Sequence, residues 1–182
     1  MLRDAMPHPP FTIRATRQED VGQLPDLECS AAQSFKAHPD LAFLAQEPAA
    51  ISVEEHSDCL AKQNSWVVVD AAQTLWGFLC AETHGDTLHI LELSVAQVAQ
   101  GKGLGTALVR EVCTQAQNRH YRRITLTTFD NVPWNRPFYE KLGFVKTVPT
   151  QQDGFLLDIL QEEAAFGFLP GMRCVMQKLL AG

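Results

Sequence analysis

The sequence predicts an α/β (α+β) protein with a mixed, mostly antiparallel central sheet and helices on both faces. Three features support this fold class. The middle of the chain holds three apolar runs joined by short turns, which is typical of an antiparallel meander. Apolar residues at helical spacing lie before and after these runs. A strand–helix–strand unit follows the meander, and this combination gives a mixed sheet that is covered on both faces.

The first third of the chain is predicted to hold a tail, one strand and three helical stretches. Three prolines within the first ten residues oppose regular structure, so a short mobile tail is expected. Ser52, with Glu55 three residues later, forms the capping-box pattern that begins a helix. The predicted elements are a tail over 1–10, a strand over 11–14, and helices over 20–35, between Pro39 and Pro48, and over 53–62.

The rest of the chain alternates between strand and helix patterns. Residues 70–74 separate two apolar runs and have the composition of a hairpin turn. Gly143 stands where a C′ glycine ends a short helix. The predicted elements are strands over 66–70, 75–82 and 88–95, a helix after Gly105, a strand over 124–129, a helix over 137–142, and strands over 144–148 and 172–180.

Composition and charge restrict the classes of partner. The 182 residues include 15 Lys+Arg and 21 Asp+Glu, a net charge of −6, so no basic excess is present to neutralise nucleic-acid phosphates. No apolar run reaches the roughly 18 residues of a membrane helix, and no signal peptide is expected. The five cysteines lack zinc-ligand spacing. The sequence predicts one cytoplasmic domain over 11–182 without metal, membrane or nucleic-acid partner, and a homodimer remains open.

The most informative segment is the glycine-rich turn after the strand over 88–95. Gly101, Gly103 and Gly105 lie just before a predicted helix. Glycine lets backbone N–H groups turn toward a ligand, and a helix N-terminus favours an anion, so this pattern is typical of a phosphate-binding turn. Neither the Walker A spacing nor the dinucleotide fingerprint fits these glycines. A turn without a ligand and an ATP or NAD site remain alternatives at this point.

Two motifs resemble the GCN5-related N-acetyltransferase (GNAT) family. The Q-x-x-G-x-G pattern over 100–105 is similar to the family's coenzyme loop, and F-Y-x-K-x-G-F over 138–144 is similar to its late helix and following strand. Residues 13–16 resemble the family's first strand, and Val-Pro-Trp-Asn over 132–135 resembles a bacterial subgroup. The resemblance covers about 11–180 and implies the acyl-CoA N-acyltransferase fold, with acetyl-CoA as co-substrate.

The resemblance also implies which residues bind acetyl-CoA. In the family, the loop amides bind the coenzyme's pyrophosphate, and the backbone of the preceding strand pairs with the pantetheine arm. The family commonly has an asparagine at the position of Val132. We predict that Asn135 replaces it because Asn135 shares a helix face with Tyr139; an N-cap role is the alternative. The predicted coenzyme-binding residues are Leu93, Val95, Gln100, Gly101, Lys102, Gly103, Leu104, Gly105, Thr106 and Asn135.

Amine acetylation needs an acid for the departing thiolate and a base for the amine proton. In the family, a tyrosine at the position of Tyr139 often serves as the acid, and aromatic packing is its alternative role. The candidate bases are His89, where several family members carry a base, and Glu92, an acidic residue in an apolar strand. Strict alternation would place these two side chains on opposite faces. Each also has an alternative role as a hydrogen-bonded or ion-paired structural residue.

The predicted function is transfer of the acetyl group from acetyl-CoA to an amine by direct attack in a ternary complex. The acidic balance of the chain favours a small cationic acceptor. Glu28, on the first predicted helix, is the candidate residue for binding that acceptor, and a solvated helix face is the alternative. A protein or peptide α- or ε-amine as acceptor, and a non-catalytic acyl-CoA-binding module on the same fold, remain alternatives.

Overall fold

The computed structural model describes residues 10–181, so most of the predicted tail lies outside the described residues. Within that range the strands are β1 (Thr12–Ala15), β2 (Ser65–Val69), β3 (Leu75–His84), β4 (Thr87–Val95), β5 (Arg123–Phe129), β6 (Val145–Thr147) and β7 (Arg173–Leu179). The α-helices are α1 (Leu24–Ala32), α2 (Val53–Ala61), α3 (Leu104–Asn118), α4 (Arg136–Lys141) and α5 (Gly154–Phe166). Every predicted strand is present, with bounds shifted by one or two residues.

Hydrogen bonding orders the strands β1-β2-β3-β4-β5-β7-β6 in a seven-stranded sheet. The pairs β1–β2, β2–β3, β5–β7 and β6–β7 are antiparallel, whereas β4 and β5 are parallel. The parallel ladder begins with Thr87 opposite Arg123 and ends with Ile90 opposite Leu126, although both strands continue beyond it. The predicted mixed, mostly antiparallel sheet is therefore confirmed.

The chain groups into two compact units, each with its own core. The first comprises the residues up to Ala81 together with Glu92–Val112, and the second comprises Glu82–Leu91 and the residues from Cys113 onward. Fully buried side chains include Leu24, Leu27, Val67, Trp76, Phe78 and Leu108 in the first unit, and Ile124, Leu126, Phe144, Leu156 and Met176 in the second.

The predicted helices differ in how well they match the structure. The capping box before α2 is present, because the Glu55 N–H donates to Ser52 Oγ at 3.2 Å and the Ser52 N–H donates to Glu55 Oε2 at 2.8 Å. The helix predicted over 20–35 is α1 with 3-10 turns at both ends, and the stretch between the two prolines is the 3-10 turn Ala42–Ala45. Short 3-10 turns replace α-helix where prolines interrupt the pattern.

Helix α5 was not predicted. Its apolar residues form an almost continuous run instead of a helical stripe, and Leu156 is its one buried residue. Periodicity therefore gives no signal. The local signal that could have found it is the start: Thr150 Oγ1 accepts the Gln152 N–H, and the Asp153 carboxylate accepts the Thr150 N–H, which is a capping-box arrangement before a helix.

Strand β3 approaches β4 closely at Gly77. A Cβ atom at this position would lie 2.9 Å from the Ser94 carbonyl oxygen, 3.0 Å from Val68 Cγ1 and 3.2 Å from Val95 Cγ2. The first of these atoms belongs to the backbone and cannot rotate away. Gly77 therefore sets how closely β3 packs beside the C-terminal end of β4, where predicted coenzyme-binding residues lie.

We expect Gly77→Ala to lower the free energy of unfolding by about 1–3 kcal/mol, because the added methyl group overpacks this contact. Urea denaturation measures the change. Gly22→Ala is the matched control, since no atom lies within 4 Å of its added Cβ. Equal stability of Gly77→Ala and the wild type would contradict the close approach.

Candidate active site

The glycine-rich turn between β4 and α3 is exposed and adopts backbone conformations that favour glycine. Gly101 has φ +75° and Gly103 has φ +79°, a region that other L-residues rarely adopt. The 3-10 turn Gln97–Ala99 leads into it, and the buried Leu104 side chain anchors the start of α3. The predicted strand–turn–helix arrangement is therefore present.

The Gln100 side chain holds this turn in place. Its Nε2 donates to the Val95 carbonyl oxygen at 3.0 Å and to the Ala31 carbonyl oxygen at 3.4 Å, and its Oε1 accepts the Ser34 hydroxyl at 2.8 Å. A further bond joins the Gln97 N–H to Ser30 Oγ at 3.2 Å. Gln100 was predicted as a coenzyme-binding residue, and the structure shows in addition that its side chain ties the turn to α1.

The backbone N–H groups of the turn have no acceptor in the part of the chain that the structure describes. This applies to the six consecutive residues 101–106, and the first bonded N–H is that of Ala107, which donates to the Gly103 carbonyl oxygen at 3.0 Å. Unpaired N–H groups at a helix start, together with the partial positive charge of the helix dipole, form a site for an anion.

The C-terminal end of β4 carries Glu92, Leu93 and Val95, and all three side chains are half-buried. The Ser94 hydroxyl donates to Glu92 Oε1 at 2.9 Å. The Ala96 N–H donates to the Trp76 carbonyl oxygen at 2.8 Å, which keeps the strand end against β3. Glu92 is thus a fixed carboxylate with partial access to solvent.

Glu28 is buried, so the alternative of a solvated helix face is wrong. Its Oε1 accepts the Ala50 N–H at 2.7 Å and its Oε2 accepts the Ile51 N–H at 3.3 Å. Burial raises the pKa of this carboxyl group, while the two N–H donors act in the opposite direction. Glu28 therefore joins α1 to the segment before α2, a structural role that the sequence did not predict.

Both carboxylates raise the pKa of one buried thiol, that of Cys80. The hydrogen bond with Cys59 and burial raise the pKa of the Cys80 thiol well above its usual value, and the charges of Glu92 and Glu28 raise it further. Charges act over a few ångströms in a protein interior. Glu28 and Glu92 thus both contribute to one region of negative potential beside Cys80.

His89 is 2% exposed and its Nδ1 lies 2.9 Å from Thr125 Oγ1. Burial lowers its pKa to about 3, and the nearby His84 adds to the shift. The His84 ring stacks on Phe155 with 4.0 Å between ring centroids. His89 is therefore a neutral, hydrogen-bonded strand residue near neutral pH, a geometry that favours its structural role over the predicted base role.

Asn135 and Tyr139 lie one turn apart at α4, as predicted. Asn135 occupies the N-cap position but makes no side-chain capping bond, and its buried Nδ2 has no partner among residues 10–181. Tyr139 is 8% exposed, and its ring packs edge-on against Phe138 and Phe144, with centroids 4.9 Å and 5.7 Å away. The Asn135 side chain therefore does not cap the helix. The aromatic packing expected as the alternative role of Tyr139 is present.

Two further properties bear on the chemistry. Within residues 10–181, no group of three or more His, Cys, Asp or Glu side chains is arranged to hold a metal ion. No helix in the same range combines the length and the apolar character needed to cross a bilayer.

Comparison with known proteins identifies the family. The model of the Acetyltransferase (GNAT) family matches residues 28–144, a range that includes all the predicted site residues. The fold is similar to that of the ribosomal-protein-S18-alanine N-acetyltransferase from Escherichia coli, with 15% identity and a TM-score of 0.66 over 94% of this chain and 95% of that chain.

Two archaeal structures are similarly related. For the PaiA N-acetyltransferase from Thermoplasma acidophilum in complex with coenzyme A, the identity is 16% and the TM-score 0.67, over 93% of this chain and 99% of that chain. For Ard1 from Thermoplasma volcanium, the identity is 15% and the TM-score 0.65, over 94% and 99%. At these identities, the likeness shows a shared fold.

We expect His89 to make stability depend on pH. Its folded pKa of about 3 lies below its ordinary value of 6.5, so its contribution is full above about pH 6.5 and is lost as pH falls toward 3. Between about pH 7 and pH 4.5 the wild type should lose about 2 kcal/mol more unfolding free energy than His89→Gln, as measured by urea denaturation. His120→Gln, at an exposed position, is the control, and equal pH slopes for wild type and His89→Gln would refute the expectation.

Proposed function

The chain belongs to the acetyltransferase (GNAT) family, and we propose that it transfers the acetyl group of acetyl-CoA to the amine of a small cationic molecule. The observation that supports this most strongly is the row of unpaired backbone N–H groups over 101–106. A bound pyrophosphate needs several donors, and these backbone groups supply them in addition to Lys102 of the same turn. The net charge of −6 is therefore compatible with an anionic coenzyme.

In our proposal, the remaining coenzyme contacts are made by β4 and by the residue before α4. We propose that the backbone of Leu93 and Val95 pairs with the pantetheine arm; the Val95 carbonyl already accepts one bond from Gln100 and has a second lone pair. The unpaired Nδ2 of Asn135 can donate to a pantetheine carbonyl. A buried amide donor without a partner is unfavourable in the free protein, and this contact would remove that cost.

For the chemical step, acetyl-CoA supplies an activated thioester. In our proposal, the neutral acceptor nitrogen attacks the thioester carbonyl, the carbon–sulfur bond breaks, and the acetyl group remains on nitrogen. Glu92 takes the amine proton, directly or through water, because it is half-buried and held by Ser94. Tyr139 donates a proton to the departing thiolate. The pKa of about 3 for His89 makes its imidazole a weak base.

The acceptor class is inferred from charge. The half-buried Glu92 carboxylate and the net charge of −6 favour an ammonium group before it loses its proton. All five cysteines are free thiols, which supports a reducing, cytoplasmic setting. A protein or peptide amine remains the alternative acceptor.

The proposed function is tested by measuring CoA thiol release from acetyl-CoA with a panel of polyamines, aminoglycosides, amino-acid amides and peptides. We expect release that depends on a cationic small amine. Release with peptides alone would favour a protein acceptor. Acetyl-CoA binding without release for any amine would favour a non-catalytic binding module.

We expect Gly103→Val to weaken acetyl-CoA binding by about tenfold or more, because a β-branched residue disfavours φ +79° and turns the N–H groups away from the anion. Isothermal titration measures the dissociation constant. Gly85→Val is the matched control, since Gly85 also has positive φ, +59°, but lies in the β3–β4 turn. Unchanged affinity in Gly103→Val would contradict the pyrophosphate assignment.

Tyr139→Phe should lower kcat by about 100-fold and leave the dissociation constant of acetyl-CoA unchanged, because it removes the proton donor and keeps the ring packing. Steady-state thiol release measures kcat. The chain has two tyrosines, so Tyr121→Phe is the matched control and should keep the wild-type rate. Wild-type turnover in Tyr139→Phe would exclude the acid role.

Glu92→Gln should lower kcat by about 100-fold, because it removes the proposed proton acceptor. His89→Gln should keep a rate near that of the wild type, since an imidazole with a pKa of about 3 is a weak base. Steady-state thiol release under the same conditions compares the two variants. The opposite pattern, with the rate lost in His89→Gln alone, would assign the base to His89.

A further inference from the structure

Two clusters, each made of a threonine, an arginine and a carboxylate, hold the two ends of α5 within the second unit. The first, which we name the Asp153 triad, consists of Thr87, Arg123 and Asp153. Arg123 Nη2 donates to Asp153 Oδ1 at 2.6 Å and Arg123 Nε donates to Thr87 Oγ1 at 2.9 Å. The second carboxylate oxygen accepts the N–H of Thr150 and its hydroxyl, both at 3.0 Å. Both carboxylate oxygens and the Nε donor of this triad therefore have a partner.

The second cluster, the Glu163 triad, consists of Thr127, Glu163 and Arg173. Arg173 Nη2 donates to Glu163 Oε1 at 2.8 Å and to Thr127 Oγ1 at 3.1 Å, and the Thr127 hydroxyl donates to Glu163 Oε1 at 2.6 Å. Both bonds to the carboxylate are accepted by the same oxygen, Oε1. Glu163 Oε2 and Arg173 Nε are both buried and have no partner among the described residues.

This asymmetry is informative because an unpaired buried polar atom is costly. A structural ion pair between α5 and the sheet would be complete if Arg173 used Nε and Nη2 together on both oxygens of Glu163, the usual bidentate geometry. Instead, one acceptor and one donor are left for another group. The Asp153 triad shows that the same residue types can anchor this helix with both oxygens and Nε paired.

The Glu163 triad lies where β5 continues beyond its ladder with β4. Thr127 directly follows Leu126, the last β5 residue of the parallel ladder with β4. The Arg173 guanidinium lies over the rings of Phe129 and Phe168, at 4.4 Å and 5.4 Å from their centroids. The two ring centroids are 5.2 Å apart, so both rings lie on the same side of the guanidinium, whose N–H donors point outward in its plane.

We propose that the Glu163 triad is a specificity site that binds a neutral polar group of the acceptor, one that both donates and accepts a hydrogen bond. A hydroxyl or an amide would donate to Glu163 Oε2 and accept from Arg173 Nε. The charges of Glu163 and Arg173 compensate each other, so an ionic group gains little there. This inference rests on the proposed acetyltransferase function. It means that the protein recognises a polar group of the acceptor in addition to its amine.

The test uses the full chain and matched amines: ethanolamine for the hydroxyl, glycinamide for the amide, and propylamine as the apolar counterpart. Thiol release gives kcat/KM for each amine in the wild type, Glu163→Gln and Arg173→Lys. We expect the preference for a polar amine over propylamine to fall by about tenfold in both variants, with the KM of acetyl-CoA unchanged. Differences in amine basicity cancel, because each comparison is between enzymes on the same compounds.

Asp153→Asn and Arg123→Lys are the matched controls, and they should lower the melting temperature while keeping the wild-type preference. A preference that persists in both Glu163 triad variants, or that is lost equally in the controls, would overturn the proposal. If one variant fails to fold, the other decides.

A second measurement separates this proposal from the proposed function. If no amine is acetylated, the proposed function fails, and the Arg173 Nε–H resonance of ¹⁵N-labelled protein is followed instead, assigned by its loss in Arg173→Lys. A shift of this resonance on adding glycinamide or ethanolamine, and none with propylamine, supports the specificity site. No shift with any of the three means that the triad binds water only, and the proposal is wrong.

Discussion

The proposed coenzyme site depends on a short row of backbone N–H groups that stay unpaired at the start of α3. A chain normally pairs such groups with its own carbonyls, since unpaired donors are unfavourable away from water. Here, positive φ at Gly101 and Gly103 directs the backbone away from internal partners. The Gln100 side chain completes the arrangement by tying the turn to Val95 and Ala31. An anion can then be bound mainly by backbone donors in an acidic protein, with Lys102 as the basic side chain of the turn.

The two halves of strand β4 differ in how deeply their ionisable side chains are buried. At its N-terminal half, His89 is enclosed and hydrogen-bonded to Thr125, which keeps the imidazole neutral and fixed. At its C-terminal half, Glu92 is half-buried, so its carboxylate is partly accessible, as the proposed base must be. The change occurs near Ile90, where the ladder with β5 ends. In the proposed mechanism, the strand therefore has a structural residue in one half and the base in the other.

The sequence predicted those features of the fold that depend on residues close together in the chain. Three glycines at close spacing and a capping box at Ser52 report directly on backbone conformation, and both are confirmed. The contact of Gln100 with Ser34 joins residues 66 positions apart, and no pattern in one sequence reveals it. Helix α5 was missed because its apolar run lacks a period. Its anchors, Asp153 and Glu163, likewise depend on strand residues 30 or more positions away.

The most direct test of the central claim is the ¹⁵N–¹H spectrum of the backbone amides during titration with acetyl-CoA. We expect downfield shifts of the Gly101, Gly103 and Gly105 amide protons, because each gains a charged acceptor. S-acetylpantetheine, which lacks the pyrophosphate, should leave these three resonances in place. Binding of acetyl-CoA without shifts at these glycines, or equal shifts with S-acetylpantetheine, would contradict the claim.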